Sequence, residues 1–277
     1  MNHKIIADSG CDLTPQMKKE MNISMVPLTM NLGEQEFTDN EKLNLSHFLT
    51  KMKTNTKKTG SAAPSASAYQ EEIEKADSSF VITLSSQLSG SYSSALAGKS
   101  MAEESGHTDA YIIDSKSASA GETLISLKLH ELISLNFPKE KIIQTIEHFI
   151  DNMKTYFVLE NHDNLQKNGR LGKLTGTIIR LLNIKLIMGS DGKGSITLFK
   201  KARGLSSMIT ELLKLIENSG KQTKGENLVI SHCDNLNLAK QLSEEIQKRF
   251  NFKKIWLVPT GGLCSLYADH KGIILAF

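Results

Sequence analysis

The 277-residue chain has few cysteines, few aromatic residues and no long apolar run, and each shortage excludes a class of protein. Its three cysteines, Cys11, Cys233 and Cys264, are widely spaced and form no CxxC pair, which excludes a disulfide framework and a zinc site. No stretch approaches the length of a membrane span, and the first eight residues have no apolar signal core. We therefore expect a soluble, cytoplasmic protein without a bound metal.

The chain also lacks a strong charge of either sign. Thirty-three basic residues face thirty acidic ones, and aromatic residues make up only 6%. The chain therefore has too little excess positive charge and too few aromatic residues for a basic groove with stacking platforms, and we expect no nucleic-acid partner. The lysines of the segment 51–58 are interpreted as a solvated loop.

What the chain does contain is an alternation of short apolar runs with amphipathic stretches, which predicts an α/β fold. Hydrophobic residues make up 39% of the chain, enough for packed cores. The predicted strands lie at residues 5–7, 80–84, 111–113, 157–159, 228–230 and 255–258. The predicted helices lie at residues 41–52, 69–75, 122–135, 139–153, 205–217 and 236–250.

The pattern changes near residue 153. Before this point, strands followed by helices predict a mainly parallel sheet. After it, the turn-rich segment 188–195 separates two apolar runs and predicts a hairpin, so the second sheet is expected to be mixed or antiparallel. We therefore predict two α/β domains, residues 1–152 and residues 153–277.

Small polar residues follow the predicted strands of the first half. Asp8 and Ser9 follow the first strand, six serines lie within residues 85–94, and Asp114 and Ser115 follow the third strand. In an open parallel sheet, ligands bind at the carboxyl ends of the strands, where helix N-termini favour an anion. Such residues also cap helices, but the serine density exceeds what one cap requires, so we predict an anion site here.

Known catalytic signatures are absent from the sequence. It has no Gly-rich dinucleotide or phosphate loop in a strand–turn–helix context and no GxSxG elbow. Two alternatives stay open: a serine hydrolase or acyltransferase that pairs a serine of residues 85–94 with His270, oriented by Asp8 or Asp114, and a nucleotide-binding module. The second is disfavoured because no phosphate loop exists.

An ordered series of motifs resembles the DegV family of bacterial fatty-acid-binding proteins, nearly from end to end. The segments that carry this resemblance are IIADSGCDL (5–13), SAAPS (61–65), LSSQLSGSY (84–92), DSKSASAG (114–121), LQKNGR (165–170), NIK (183–185), KARG (201–204) and HKG (270–272). The resemblance implies two α/β domains with a long-chain fatty acid in a tunnel between or beneath them. It implies no cofactor other than this ligand and no catalytic residue on the carrier itself.

The resemblance also implies roles for individual residues. Ser61, Ser89 and His270 would bind the fatty-acid carboxylate. Arg170, which we expect to be exposed, would contact a separate fatty acid kinase that makes the acyl phosphate for phospholipid synthesis. Supporting positions around the carboxylate would be Asp8, Ser9, Gly90, Ser91, Ser93, Asp114, Ser115 and Ser119. Transient contact with a membrane surface would serve lipid exchange.

The chain departs from the family pattern at three places. Ser61 and Ser91 stand where threonine is usual, which preserves the hydroxyl, whereas Ala62 removes one. The C-terminal His-x-Gly-Pro-Gly pattern is matched by His270-Lys271-Gly272 without the Pro-Gly turn, so the position of His270 depends on a turn that this chain lacks.

Overall fold

The computed structural model describes residues 3–107, 109–174 and 183–277. The strands in this part of the chain are β1 (Lys4–Asp8), β2 (Ile23–Val26), β3 (Thr29–Leu32), β4 (Gln35–Thr38), β5 (Thr59–Ala62), β6 (Ser79–Thr83), β7 (Ala110–Asp114), β8 (Thr155–Val158), β9 (Ile184–Ser190), β10 (Ile196–Arg203), β11 (Asn227–His232), β12 (Lys254–Pro259) and β13 (Ile273–Ala276). The helices are α1 (Pro15–Glu20), α2 (Leu45–Thr54), α3 (Ala66–Ile73), α4 (Ser91–Glu104), α5 (Ala120–Ser134), α6 (Lys139–Asn152), α7 (Asp163–Lys167), α8 (Gly204–Glu217), α9 (Leu236–Arg249) and α10 (Gly262–Ala268).

The first sheet has four parallel strands in the order β2-β1-β6-β7. Its central strands β1 and β6 are buried on both faces, which explains why they read as continuous apolar runs. Helices α3 and α4 pack against each other beside one face, and α5 contacts β1 and β6. The predicted parallel sheet is confirmed, and its strands end at the polar segments that the sequence singled out.

A second, three-stranded antiparallel sheet of order β4-β3-β5 was not predicted. Its outer strands are short and polar, so they give no apolar run; β4 reads QEFT and β5 reads TGSA. Ser61 lies on β5 opposite Met30 of β3. Residues 59–62 therefore form a strand that no apolar run predicted, and this strand fixes the direction of the Ser61 side chain.

The third sheet has six strands in the order β10-β9-β8-β13-β11-β12. The predicted hairpin is confirmed as β9 and β10, and β11 with β12 is the parallel pair, so the sheet is mixed as expected. Its strands all lie after residue 154, although the domain boundary itself stays a prediction. Within the ranges given above, every helix is too short or too polar to cross a lipid bilayer.

Candidate functional site

A cavity lies between the carboxyl ends of the first sheet and the inner face of the six-stranded sheet. It has an empty volume of about 1020 Å³, counting space open to solvent. Its walls are largely apolar; they include Leu28, Leu84, Leu88, Phe157, Leu159 and Ile274. A second cavity of the same volume has a charged lining that includes Asp109, Lys139 and Glu140. The lining, rather than the size, therefore identifies the first cavity as a site for an apolar ligand.

Ser61 reaches the cavity because β5 alternates its side chains. Thr59 and Ser61 point to the same face of the strand. The Thr59 hydroxyl donates to Asn164 Oδ1 at 2.8 Å, and Ser61 Oγ is hydrogen-bonded to the Tyr267 hydroxyl, also at 2.8 Å. The small sheet is thereby joined to α7 and α10 of the second half of the chain.

Ser89 lies beside Ser61, as the sequence predicts. It precedes the N-terminus of α4, and its Oγ accepts a hydrogen bond from the Ser91 backbone N–H at 3.2 Å. The two loops are adjacent, since a Cβ added to Gly90 would lie 3.7 Å from Ala63 Cβ. Ser61, Ser89 and Gly90 all line the cavity, next to a helix end that favours negative charge.

Arg170 lies at the same place, which differs from the expectation that it is exposed. It is half-buried and lines the cavity. Gly169, with φ of 71°, turns the chain back after α7, so that the Arg170 backbone N–H donates to Leu165 O at 2.8 Å. The side chain then reaches the loop before α4, where Nε donates to Leu88 O at 3.1 Å.

His270 is not brought to this group, and this expectation is corrected. It does not line the cavity, and its Nδ1 lies 3.1 Å from Asp234 Oδ2 in a half-exposed pair. The reason is the turn before β13. Asp269 and Lys271 both have left-handed backbone, with φ of 56° and 68°, and His270 between them points away from the cavity.

Tyr267 takes the place that the sequence assigned to His270. Its hydroxyl bonds Ser61, and it lines the cavity. With Tyr267 at the first position of the His-x-Gly-Pro-Gly pattern, Asp269 and Lys271 stand at the two glycines. Their left-handed φ values are those that glycine adopts most readily. The signal for this register is the backbone φ of Asp269 and Lys271, which is seen in the structure and not in the sequence.

The four residues Ser61, Ser89, Arg170 and Tyr267 define what we call the mouth of the cavity. All four belong to different elements or loops, and each has a hydrogen-bond donor. No carboxylate in the described ranges forms an ion pair with Arg170. The mouth is therefore rich in donors and has a cation without an acidic partner.

Most of the supporting positions instead bond within the protein. The Asp8 carboxylate accepts from the backbone N–H groups of Gly10 and Leu84, each at 2.9 Å, and from the Ser91 hydroxyl. Ser9 Oγ accepts from the Leu28 N–H at 3.0 Å. These groups fix the loops behind the cavity rather than facing it.

The same holds at the end of β7. The Asp114 carboxylate accepts from the N–H groups of Ser86 and Lys116, and the Ser115 hydroxyl donates to Ser117 O at 3.1 Å. Ser119 does line the cavity, but its hydroxyl donates to Asp12. Ser93 is exposed on α4 and does not line the cavity.

Three buried carboxyl groups, Asp8, Asp12 and Glu122, lie behind these loops. Burial raises the pKa of Asp12 to about 6. Hydrogen bonds from Ser119 and the Gly261 N–H lower this pKa, but their effect is smaller than that of burial. Burial also raises the pKa of Asp8, and burial together with the neighbouring charge of Asp8 raises that of Glu122 well above its usual range. Gly10 is required here, because a Cβ would lie 2.7 Å from Glu122 Oε1.

The structure does not bring His270 to the serines of residues 85–94, as the hydrolase alternative requires. Among residues 85–94, Ser85 donates to Gly194 O, Ser86 to Asp114 and Ser91 to Asp8. His270, the base that this alternative requires, is outside the cavity lining. In the part of the chain that the structure describes, no cluster of three or more His, Cys, Asp or Glu residues could hold a metal ion.

Comparisons with known proteins agree with this geometry. A family model described as the uncharacterised DegV protein family matches residues 2–276. A DegV domain-containing protein of Streptococcus pyogenes is 36% identical over 280 residues, covering 100% of this chain and 99% of the relative.

Two solved structures are similar over nearly their whole length. A DegV family protein from Ruminococcus gnavus, refined with vaccenic acid, has 34% identity and a TM-score of 0.96, covering 100% of both chains. The Streptococcus pneumoniae Fatty Acid Kinase (Fak) B3 protein, loaded with linoleic acid, has 34% identity and a TM-score of 0.92, covering 100% of this chain and 99% of that one.

Proposed function

The chain belongs to the DegV family, and from this premise we propose that it binds one long-chain fatty acid, with the acyl chain in the cavity and the carboxylate at the mouth. The apolar walls support the first half of this proposal. Each buried CH₂ contributes about 0.8 kcal/mol, so a chain of about 16 carbons supplies on the order of 10 kcal/mol before binding costs.

The observation that carries the proposal is the set of unused donors at the mouth. Ser61 and Tyr267 share one hydrogen bond, which leaves one of their two O–H groups free. Ser89 Oγ acts as an acceptor for Ser91, which leaves its own O–H free, and Arg170 retains N–H groups beyond those bonded to Leu88 and Asn168. A carboxylate only accepts hydrogen bonds, so it complements this set.

Tyr267 therefore replaces His270 in the proposed carboxylate site, while Ser61 and Ser89 keep their expected roles. A buried carboxylate without such partners would oppose binding strongly. The N-terminus of α4 and the Arg170 guanidinium add favourable electrostatics at the same end of the cavity.

We further propose that this protein is a carrier, without a catalytic group of its own, that presents the bound acid to a separate fatty acid kinase. The name of the pneumococcal relative supports this, as does the position of the carboxylate site at a half-exposed mouth. Three buried, unpaired cysteines suit a reducing cytoplasm, where acyl phosphate would serve phospholipid synthesis after transient contact with a membrane surface.

The first experiment asks whether the purified protein contains a fatty acid. Native mass spectrometry, followed by organic extraction, is expected to show about one acyl chain per protein, because a ligand retained by this much apolar burial survives purification. A protein that is empty, and whose thermal transition is unchanged by added octadecanoic acid, would contradict the proposal.

The second experiment separates lipid binding from presentation. Arg170→Ala is compared with Lys167→Ala, an exposed cation at the end of the same helix. If Arg170 serves the kinase, its variant retains lipid but forms acyl phosphate more slowly with a fatty acid kinase, whereas the control retains lipid and forms acyl phosphate at the native rate. Loss of lipid from Arg170→Ala would assign Arg170 to the carboxylate instead, and an unchanged rate would exclude a kinase role.

A further inference from the structure

The cavity has a direction, which follows strand β8. Thr155 and Phe157 of this strand and Leu159 just beyond it line the cavity, because alternate residues face the same side. At about 3.3 Å per residue they span about 13 Å between the Cα atoms of the first and last. The cavity is therefore a slot with two distinct ends.

The antiparallel pairing of β13 with β8 shows which end is the mouth. Ile273, the first residue of β13, lies opposite Val158, and Ala276 lies opposite Thr155. Asn161 donates to Asp269 Oδ2 at 2.9 Å, and Asn164 donates to Leu266 O at 2.7 Å, so the segment that contains Tyr267 lies beyond the Leu159 end. Thr155 thus marks the end of the slot opposite the mouth.

At that far end two hydroxyl groups lie on the cavity wall. Ser117 Oγ and Thr155 Oγ1 are 2.8 Å apart, and the residues are 3% and 6% exposed. We call Ser117 and Thr155 the distal pair. Gly121 at the start of α5 makes room for them, because a Cβ there would lie 2.0 Å from Ser117 Oγ.

The distal pair has one O–H group that no hydrogen bond within the described protein uses. Two hydroxyls bring two O–H groups, and their mutual bond engages only one. Neither oxygen donates to another group in the described ranges. A buried donor without an acceptor costs about 1–3 kcal/mol, so the second O–H requires a partner in the cavity.

The neighbouring hydroxyls differ in this respect. Ser85 donates to Gly194 O at 2.8 Å, Ser190 donates to Lys116 O at 2.9 Å, and Ser119 donates to Asp12. Lys116 itself is paired with Asp151 at 2.7 Å on the surface. The distal pair therefore offers a single buried neutral donor, whereas the mouth offers several donors and a cation. Ser195 also lines the cavity, but it is only half-buried.

We propose that the distal pair is a second polar subsite, which binds one oxygen substituent on the acyl chain by donating a hydrogen bond to it. The proposal rests on the fatty-acid function argued above and names a narrower ligand class, namely fatty acids with a hydroxy or oxo group far from the carboxylate. A hydroxyl on the chain can accept from the free O–H of the pair. A second carboxylate is excluded, because one neutral donor does not compensate the desolvation of a charge.

The experiment uses the full chain stripped of lipid and titrated by calorimetry with octadecanoic acid and a positional series of monohydroxyoctadecanoic acids. One isomer is expected to bind about two- to tenfold more tightly than the parent acid, the range for one neutral hydrogen bond. The double variant Thr155→Val/Ser117→Ala is expected to abolish that preference while octadecanoic acid still binds, because either hydroxyl alone would keep one free O–H group. Ser190→Ala is the control and keeps the preference, because its hydroxyl already donates to the backbone.

The outcomes separate this proposal from the one on which it rests. If octadecanoic acid binds and no isomer is preferred, water satisfies the distal pair and only the subsite is disproved. A preference that persists in the double variant Thr155→Val/Ser117→Ala also disproves it, since the oxygen then binds elsewhere. If no fatty acid binds at all, both proposals fail.

Discussion

The serines behind the cavity and the serines at its mouth look alike in the sequence but bond differently. Behind the cavity, the hydroxyls of Ser91 and Ser119 donate to buried carboxylates, and that of Ser115 donates to a backbone carbonyl. At the mouth, Ser61 and Ser89 are hydrogen-bonded to neutral groups, namely the Tyr267 hydroxyl and the Ser91 N–H. These bonds leave O–H groups that can donate to the proposed ligand. One set stabilises the loops that position the other, so serine density near strand ends marks the neighbourhood of a site rather than its contacts.

The difference extends to the carboxyl groups. Asp8 and Asp12 are fully enclosed and bonded by several donors each, whereas the mouth has a cation and no acid partner in the described ranges. Substitutions behind the cavity should therefore change stability, and substitutions at the mouth should change binding. Four predictions test this division.

The largest effect is expected for Asp8→Ala. It leaves the N–H groups of Gly10 and Leu84 and the Ser91 hydroxyl without an acceptor in the interior. At about 1–3 kcal/mol for each buried unsatisfied donor, we expect a loss of about 3–5 kcal/mol in the free energy of unfolding. Urea denaturation of the lipid-free protein measures it.

Asp114→Ala is the matched control for Asp8→Ala. Asp114 ends the neighbouring strand β7 and accepts a similar number of hydrogen bonds, but it is half-exposed. Water can replace its oxygens, so its loss of stability should be clearly smaller. Equal losses would show that burial does not distinguish the two carboxylates.

The second prediction concerns pH and Asp12→Asn. The pKa of Asp12 is about 6 in the folded protein against an ordinary value of 3.8, so the folded state binds more protons between these values. Stability therefore falls as pH rises through this window, by about 3 kcal/mol for Asp12 alone. Asp12→Asn cannot ionise, so its stability relative to the native chain should increase by this amount from pH 4 to pH 7.

Denaturation curves at a series of pH values test the Asp12 prediction as a difference between the two proteins. The hydrogen bond from the Gly261 N–H, at 2.7 Å, can be accepted by an amide oxygen as well. A difference in stability that is independent of pH would mean that Asp12 does not titrate in this window.

The third prediction moves to the mouth. The double variant Tyr267→Phe/Ser61→Ala and, independently, Ser89→Ala each remove one free donor from the proposed carboxylate site, and hydrogen bonds to charged groups contribute about 1.5–3 kcal/mol. We expect fatty-acid affinity to fall by about 10- to 100-fold, with little change in the unfolding of the lipid-free protein. Calorimetric titration measures the affinity, and unchanged binding in both variants would place the carboxylate elsewhere.

The smallest effect is expected for His270→Ala. The side chain faces Asp234 near the surface, and exposed ion pairs contribute less than about 1 kcal/mol. Affinity for octadecanoic acid should equal that of the native chain. A loss of affinity comparable to that of Ser89→Ala would restore His270 to the carboxylate site and refute the register proposed for the C-terminal pattern.

Apolar runs were sufficient to predict the buried strands β1, β6, β7, β8, β11 and β12 and the hairpin of β9 and β10. They could not predict β4 and β5, which are polar edge strands held by pairing with β3. Of the residues that line the cavity, Ser61 and Ser89 were expected from the resemblance. Tyr267 was not expected, because the pattern was matched at His270, whereas the backbone φ of Asp269 and Lys271 favours the other register.

The central position of β13 has a consequence for how the six-stranded sheet is assembled. This strand pairs with β8 on one side and with β11 on the other, so it is the only link in the described sheet between β8–β10 and β11–β12. Ile274 on it lines the cavity, and Tyr267, which precedes it in the sequence, lies at the mouth. The two halves of this sheet therefore become one surface only when β13 inserts between them, so the cavity wall and the sheet are completed in the same step.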